Sequence, residues 1–358
     1  MQYGFWSKLK TDILARGNGP FFALAPMADV TDAAFRKLIA KYGKPDVMWT
    51  EFVSANGLAS RGKEALMVDL LYGEEERPIV AQLFTADPKN MESAARLVEE
   101  LGFDGLDINM GCPDRTIEKQ GAGACLIKTP DVAREIIRAA KRGAPNIPIS
   151  VKTRVGYNHL EIDTWIPTLF EEGIAALTVH VRTRKEMSKV PADWSRLKKI
   201  VALRDRLSPD TLIIGNGDVT SLLDGRQKAK ESGVDGVMIG RGIFGNPWLF
   251  DDSRSIVSVL PKKHPLGRLP LIGKFFHTKR GAPSSKVKPI TVRERLDALL
   301  EHTKLFDSLL GKVKSFSIMK KHYKAYVNGF PGSKELRQNL MESKNVDEVE
   351  EIIRNFKV

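Results

Sequence analysis

The sequence predicts a (β/α)8 TIM barrel followed by a small C-terminal helical bundle, and three observations support this fold class. Eight short apolar segments recur over the first 250 residues, and most of them alternate with stretches of helical periodicity. Gly102, Gly173 and Gly233 stand where helices should end, just before the next strand. From Thr291 onward the apolar periodicity is only helical. Strands that alternate with helices indicate a parallel sheet, and eight of them fit a closed barrel.

The elements follow one another in a regular order. The predicted strands are Phe21–Pro26, Val47–Val53, Ile79–Phe84, Gly105–Met110, Ile149–Arg154, Ala176–Val181, Leu212–Asn216 and Gly236–Gly240. The predicted helices include Asn90–Leu101, Val132–Ala140, one that begins at Thr291, Ser315–Val327, Lys334–Glu342 and Val346–Phe356. Pro, Gly, Ser, Lys and Arg are frequent between barrel and bundle, as is typical of an insertion. We therefore divide the chain into a barrel domain (1–250), a basic insert (251–290) and a helical domain (291–358).

Composition narrows the class of protein. A chain of 358 residues with 42% hydrophobic residues can bury a sizeable core. Two cysteines exclude a disulfide framework and favour a reducing compartment, and no Cys/His cluster has metal-ligand spacing, so we predict no metal site. The first residues lack a signal-peptide pattern, and no apolar run is long enough to span a membrane. We expect a soluble, cytoplasmic monomer without a membrane partner.

The net charge of +12 is concentrated toward the C-terminus. Residues 253–293 hold 10 Lys and Arg and no acidic residue, and residues 294–358 hold 12 basic and 10 acidic residues. The remaining 252 residues are therefore neutral, with 34 basic and 34 acidic side chains. This asymmetry is expected of a protein that meets a polyanion such as nucleic acid. For the insert alone, a solvated loop that only aids solubility is the alternative interpretation.

A thiol is predicted just beyond the fourth strand. The apolar segment Gly105–Ile108 leads into Gly111, Cys112 and Pro113, which cannot continue a strand. Barrels carry their chemistry at the carboxyl ends of strands, so Cys112 is a candidate catalytic residue. The alternative is a small buried apolar side chain. Polar and ionisable groups dominate the carboxyl ends of the eight predicted strands, which read in order Pro26–Ala28, Glu51, Gln82, Asn109 with Cys112, Lys152 with Arg154, His180 with Arg182, Asn216–Asp218 and Gly240–Gly242.

Glycine turns follow the seventh and eighth predicted strands. They are Gly215–Asp218 and Gly240–Gly242. Loops at this place in a barrel usually bind phosphate, because glycine lets backbone N–H groups approach the anion, and Arg241 can add charge. A pair of tight turns without a ligand is the alternative.

In this order and spacing, the motifs closely resemble the tRNA-dihydrouridine synthase family, flavin enzymes that reduce uridine in tRNA. The resemblance covers essentially the whole chain except the basic insert. It is carried by Ala25–Asp32, Gln82–Phe84, Asp107–Pro113, Val151–Arg154, Thr178–Arg184, Ile214–Val219 and Val237–Trp248. One departure is Val181, where the family usually has glycine after the histidine.

The resemblance implies that FMN binds at the barrel rim, that NADPH is the reductant and that tRNA is the substrate. Reduced FMN would give a hydride to uracil C6, and Cys112 would give a proton to C5. Asn109 and Arg182 match positions that contact the uracil. The implied cofactor contacts are Pro26, Met27, Ala28, Gln82, Lys152, His180, Asn216, Gly217, Asp218, Gly240 and Arg241.

The residue types suit this chemistry. A thiol with a reference pKa of about 8.5 is protonated near neutral pH yet acidic enough to donate. Lys152 and Arg182 could stabilise negative charge on ring oxygens. Cations close to the sulfur would lower the thiol pKa, so we expect them to point at the rings. Cys125 lies among small apolar residues, and we interpret it as packing.

The helical domain carries a predicted RNA surface. Lys320, Lys321 and Lys324 share one helical face, and Phe316, Met319, Tyr323, Tyr326 and Val327 form a stripe toward the core. The basic surface is extended by Lys312, Lys314, Lys334 and Arg337. Such lysines give affinity for phosphates without reading sequence. Two other functions stay open: an FMN-barrel oxidoreductase acting on a small molecule, and a non-catalytic RNA-binding protein.

Overall fold

The computed structural model describes residues 3–15, 19–256 and 287–357, and a parallel barrel forms its centre. The barrel strands are β1 (Phe21–Leu24), β2 (Met48–Ser54), β3 (Ile79–Phe84), β4 (Gly105–Met110), β5 (Ile149–Arg154), β6 (Ala176–His180), β7 (Leu212–Asn216) and β8 (Gly236–Ile239). Each strand pairs with its sequence neighbour, and β1 pairs with β8. A parallel bridge between Ala23 and Val47 completes the circle. The predicted barrel is confirmed, with strand ends within two residues of those expected.

Helices surround the barrel and continue beyond it. They are α1 (Gly4–Ala15), α2 (Ala33–Tyr42), α3 (Ala55–Leu58), α4 (Lys63–Leu66), α5 (Pro88–Glu100), α6 (Arg115–Glu118), α7 (Pro130–Gly143), α8 (Ile162–Phe170), α9 (Arg196–Leu207), α10 (Leu222–Ser232), α11 (Val292–Leu310), α12 (Met319–Tyr326), α13 (Ser333–Glu342) and α14 (Val346–Asn355). Gly102, Gly173 and Gly233 have positive φ angles after α5, α8 and α10, as predicted for helix ends.

Helix α1 packs beneath the barrel and was not predicted. Its Trp6 is buried, with its ring centroid 6.0 Å from that of Phe21 and 5.9 Å from that of Trp49. Gly4 lies against Pro148, where a Cβ atom would come within 2.9 Å of the proline ring. The helix therefore covers apolar surface at the amino ends of the strands, and the opposite rim carries the polar residues.

The C-terminal helices pack against the barrel through α2. The rings of Phe35 and His302 stack with centroids 4.8 Å apart, and Glu301 accepts hydrogen bonds from Lys41 and Tyr42. The predicted apolar stripe is confirmed for four of its five residues, because Met319, Tyr323, Tyr326 and Val327 are buried. Phe316, at the start of the stripe, is partly exposed. The prediction that Lys314 extends the exposed basic surface was wrong. Its side chain is only 12% exposed and is paired with acidic residues of the barrel.

The ends of the basic insert are described, and its middle is not. Strands β9 (Arg254–Ile256) and β10 (Lys288–Ile290) form a short parallel pair. Residues 257–286 of the predicted insert lie outside the described residues. Within the described ranges, no helix is long and apolar enough to cross a membrane. The same ranges contain no group of three or more His, Cys, Asp and Glu side chains able to hold a metal ion.

Candidate active site

A buried hydrogen-bond network joins β3, β4 and β5 beneath the rim. Asp107 accepts hydrogen bonds from Gln82 Nε2 and from Ser150 Oγ, both at 2.6 Å. The other end of the Gln82 amide, Oε1, accepts from Asn109 Nδ2 at 3.0 Å. Since a carboxylate can only accept, Asp107 sets the orientation of the Gln82 amide, which in turn sets that of Asn109. Sequence reasoning assigned no role to Asp107 or Ser150.

The loop that carries Cys112 is held by main-chain contacts. Asn109 Oδ1 accepts hydrogen bonds from the N–H groups of Gly111 (3.1 Å) and Cys112 (2.9 Å). The Cys112 carbonyl accepts from Ala124 N at 2.9 Å, and the Gly111 carbonyl accepts from Arg154 Nε at 2.7 Å. Because all four bonds involve backbone atoms of the loop, the position of the thiol does not depend on contacts of the sulfur itself.

The environment keeps the Cys112 thiol protonated. Burial is the largest cause of its raised pKa. A hydrogen bond from the backbone N–H of Asp114 lowers the thiol pKa, while the Asp114 carboxylate raises it. Lys152 and Arg154 also lower the pKa, but these effects together do not outweigh burial. A half-buried thiol with a raised pKa is a weak nucleophile and an available proton donor near neutral pH.

Two nitrogen-bearing side chains stand at the ends of β5 and β6. Burial, together with Arg154, lowers the pKa of Lys152 to about 8. Its Nζ lies 3.5 Å from Asn216 Oδ1, a long contact for an ammonium group. Burial and nearby cations hold the pKa of His180 well below its usual value, so its imidazole is neutral. His180 Nδ1 is buried and has no hydrogen-bond partner in the described structure.

The loops after β7 and β8 meet at Asp218. Its carboxylate pairs with the Nη2 atoms of Arg182 and Arg241, the latter at 3.0 Å. Arg182 is nearly fully buried and also donates to the carbonyl of Val190 at 2.7 Å, whereas Arg241 is 67% exposed. Burial alone would raise the pKa of Asp218, but the two arginines lower it on balance. The pair of arginines therefore marks a positively charged corner that suits an anion.

Glycines bring backbone close to this corner. Gly217 has a φ of 133°, and a Cβ atom there would lie 3.0 Å from that of Ala192. Gly240 lies opposite the loop after β1, because a Cβ atom on it would be 3.5 Å from the sulfur of Met27. Pro26 beside Met27 is buried, and Ala28 is exposed. A flat ligand with a hydrogen-bonding edge and a phosphate group fits these surroundings.

The structure brings the predicted site residues to one rim in three connected groups. Gln82 and Asn109 join the Cys112 loop, Lys152 contacts Asn216, and His180 lies 3.4 Å from Arg182 across a nitrogen–nitrogen contact. The side chain of Asn216 is oriented by a hydrogen bond to the carbonyl of Met238 at 2.8 Å. The guanidinium of Arg182 is bound to Asp218 and Val190, so its predicted contact with uracil stays a prediction.

Comparison with known proteins gives consistent matches along the chain. A family model described as dihydrouridine synthase matches residues 23–357. A protein of Staphylococcus aureus (strain MRSA252) named "Probable tRNA-dihydrouridine synthase" is 37% identical over 359 aligned positions, which cover 99% of this chain and 96% of the relative. A Bacillus subtilis (strain 168) protein named "Probable tRNA-dihydrouridine synthase 2" is 39% identical, with coverage of 99% and 97%.

Proposed function

The chain belongs to the dihydrouridine synthase family, and we propose that it reduces the C5–C6 double bond of uridine in tRNA to 5,6-dihydrouridine. The observation that carries the proposal is the position of Cys112 on a loop fixed by Asn109, at the same rim as Lys152 and His180. Burial also raises the pKa of its thiol, which favours the protonated form.

We propose FMN as the bound cofactor and NADPH as its reductant. The unpartnered Nδ1 of His180 and the ammonium of Lys152 offer a donor edge for the ring system, and Gly217, Gly240 and Arg241 offer one phosphate cradle. When bound, FMN supplies the hydride that adds to C6 of uracil. Pro26, Met27, Ala28, Gln82, Asn216 and Asp218 complete the proposed cofactor site.

Cys112 completes the reduction by transferring its proton to C5, and the thiolate then regains a proton from solvent. Its raised pKa keeps the donor form available, and its loop is held through backbone atoms rather than through the sulfur. Lys152 stabilises the negative charge that would develop on oxygen or nitrogen at the edge of the flavin ring. Asn109 holds the donor loop with Oδ1, and together with Arg182 it is proposed to contact the uracil.

The C-terminal helices are proposed to hold the tRNA. Lys321 and Lys324 are exposed on α12 beside the partly exposed Lys320, while the opposite side of the helix is buried. We assign residues 1–250 to the flavin barrel, 251–290 to a basic insert and 291–358 to RNA binding. We propose that the protein acts as a cytoplasmic monomer. To reach C5 and C6, the enzyme must draw the base out of the folded tRNA.

A single experiment tests the function. Unmodified tRNA transcripts are incubated with purified protein, FMN and NADPH, and dihydrouridine is measured by mass spectrometry of the digested RNA. We expect dihydrouridine, and we expect tRNA to accelerate the oxidation of pre-reduced flavin. Absence of dihydrouridine with a pool of cellular tRNA lacking the modification would refute the proposal. Oxidation that needs a small unsaturated substrate and ignores tRNA would favour the other oxidoreductase hypothesis.

A further inference from the structure

One lysine of the C-terminal region reaches into the rim of the barrel. Lys314 follows α11, and its Nζ lies 2.7 Å from Glu51 Oε2 and 2.6 Å from Asp69 Oδ1. The exposed fractions of the three side chains are 12%, 5% and 20%, respectively. Glu51 belongs to β2, so this ion pair connects the helical region directly to a barrel strand.

Glu51 also contacts the loop after β1. Its other carboxylate oxygen, Oε1, accepts a hydrogen bond from the backbone N–H of Asp29. Asp29 has a φ of 50° and directly follows Met27 and Ala28, which are proposed to flank the flavin ring. The side chain of Asp29 also pairs with Lys321 of α12 at 3.5 Å. Two lysines from the C-terminal region therefore act on the loop that faces the proposed cofactor.

The charges around Glu51 make Lys314 necessary for this arrangement. Burial, with smaller contributions from Asp69 and Asp32, raises the pKa of Glu51 to about 7 although Lys314 lowers it. For Lys314, burial favours the neutral form, but Glu51 and Asp69 outweigh burial and raise its pKa. Arg36 acts on Asp32 but is itself bound to Glu76 at 2.6 Å. Without Lys314, buried carboxylates would face one another without a cation in contact.

We propose that Lys314 is a positioning residue through which the C-terminal helices hold the Met27–Asp29 loop in place for flavin. The inference rests on the proposed function, because it concerns the same cofactor site. Removing one partner of a buried ion pair is costly, since the remaining charge must gain a proton or move toward water. Either response disturbs the Glu51 oxygen that accepts from the Asp29 N–H. The helices would then serve the cofactor as well as the RNA.

The test is a titration of the flavin-free, full-length protein with FMN at pH 6 and at pH 8.5. Binding is monitored by flavin fluorescence. Four variants are compared with the wild type: Lys314→Met, Glu51→Gln, the double variant, and Lys344→Met as a control. Lys344 is an exposed lysine of the same C-terminal region. At pH 8.5 we expect Lys314→Met to weaken FMN binding about tenfold, a size typical of coupling between two sites, and Lys344→Met to leave it unchanged.

The pH and the double variant separate a charge imbalance from general damage. Protonation removes the carboxylate charges, so the deficit of Lys314→Met relative to wild type should shrink at pH 6. Glu51→Gln keeps an oxygen for the Asp29 N–H and removes a charge, so the double variant should recover most of the affinity at pH 8.5. Thermal unfolding of each flavin-free variant shows whether it is folded. If Lys314→Met does not fold, the comparison is made with the double variant against Glu51→Gln, which should bind FMN equally.

Three results would overturn the proposal. The first is wild-type affinity in Lys314→Met at both pH values. The second is a deficit that is the same at pH 6 and pH 8.5 and is not repaired by Glu51→Gln, since that pattern indicates damage unrelated to the carboxylates. The third is a wild-type protein that does not bind FMN, which would refute the proposed cofactor first and this inference with it.

Discussion

Replacing Cys112 with alanine is the most direct test of the proposed proton donor. The side chain is removed, but the loop keeps the hydrogen bonds that Cys112 makes through its N–H and carbonyl groups. We therefore expect normal folding, normal FMN binding and normal reduction by NADPH. Only the step that gives a proton to uracil C5 should suffer.

The expected decrease in rate follows from the role and the ionisation of the thiol. A general acid typically contributes about 10²–10⁴-fold to a rate, which corresponds to about 3–5.5 kcal/mol of activation free energy. Since the raised pKa of Cys112 keeps the thiol protonated near neutral pH, the full effect should be seen there. At alkaline pH the thiol of the wild type ionises, so the ratio of wild-type to variant rates should fall. Lys152, with a pKa of about 8, titrates in both proteins, and the variant lacks the Cys112 charge that raises the Lys152 pKa, so a full pH profile is recorded for each protein.

The assay is a single turnover of pre-reduced enzyme with tRNA, in which flavin absorbance and dihydrouridine are followed together. Cys125→Ala is the matched control, because Cys125 is the second cysteine of the chain and is also half-buried. We expect it to react at close to the wild-type rate. Retention of more than about a tenth of the wild-type rate in Cys112→Ala would refute the assignment, because a general acid contributes at least about a hundredfold.

Three further predictions concern the surroundings of the site. Arg241→Ala should weaken FMN binding about tenfold, less than the full contribution of a charged hydrogen bond because Arg241 is largely exposed; equal affinity in a fluorescence titration would exclude a phosphate contact. FMN binding should decline at alkaline pH as Lys152 loses its proton, and Asp107→Asn should weaken binding and move this decline to lower pH, because the Asp107 charge raises the Lys152 pKa. An unchanged pH profile would contradict this role. Replacing residues 257–286, which hold seven Lys and Arg and no acid, with a short Gly/Ser linker should lower tRNA affinity. The log–log salt slope should fall by about 0.7–0.9 for every phosphate that the insert no longer neutralises, and an unchanged slope would favour a loop that only aids solubility.

The barrel could be predicted because its signals are local. Short apolar strands, helical periodicity and glycines at helix ends each depend on a few neighbouring residues, and Gly102 with its φ of 77° is an example. Helix α1 was missed because its pattern is weak by itself. Trp6 becomes buried only when it meets Phe21 and Trp49 at the base of the closed barrel. That contact exists only once β1 and β2 lie side by side, which the sequence of α1 does not encode.

The rim residues could be predicted, but their partners could not. The carboxyl end of a strand is recognisable from sequence, so Gln82, Asn109 and Lys152 were found as rim residues. The register between strands decides which of these residues a buried carboxylate orients. In this register Gln82 lies opposite Asp107, and Asp107 lies opposite Ser150. For Lys314, 263 positions separate it from Glu51. Its burial follows from the docking of the helices, which composition does not encode.

The cations of the rim divide into two classes that sequence alone does not distinguish. Arg154 donates to the carbonyls of Gly111 and Thr183. Arg182 is likewise occupied, since it is nearly fully buried and bound to Asp218. Guanidinium groups in such positions fix loops through the donors that are already bound. The proposed uracil contact of Arg182 would therefore have to use its Nη1 group, which lies 3.4 Å from His180 Nε2.

Lys152 and Arg241 have more freedom to meet a ligand. Within the described part of the chain, the one hydrogen-bond contact of Lys152 is the long one to Asn216. Burial lowers the pKa of Lys152 to about 8, so an anionic partner would stabilise its charged form. Arg241 is exposed at the glycine loops and shares Asp218 with Arg182. The positive charge available to a ligand therefore lies at two separate places on the rim.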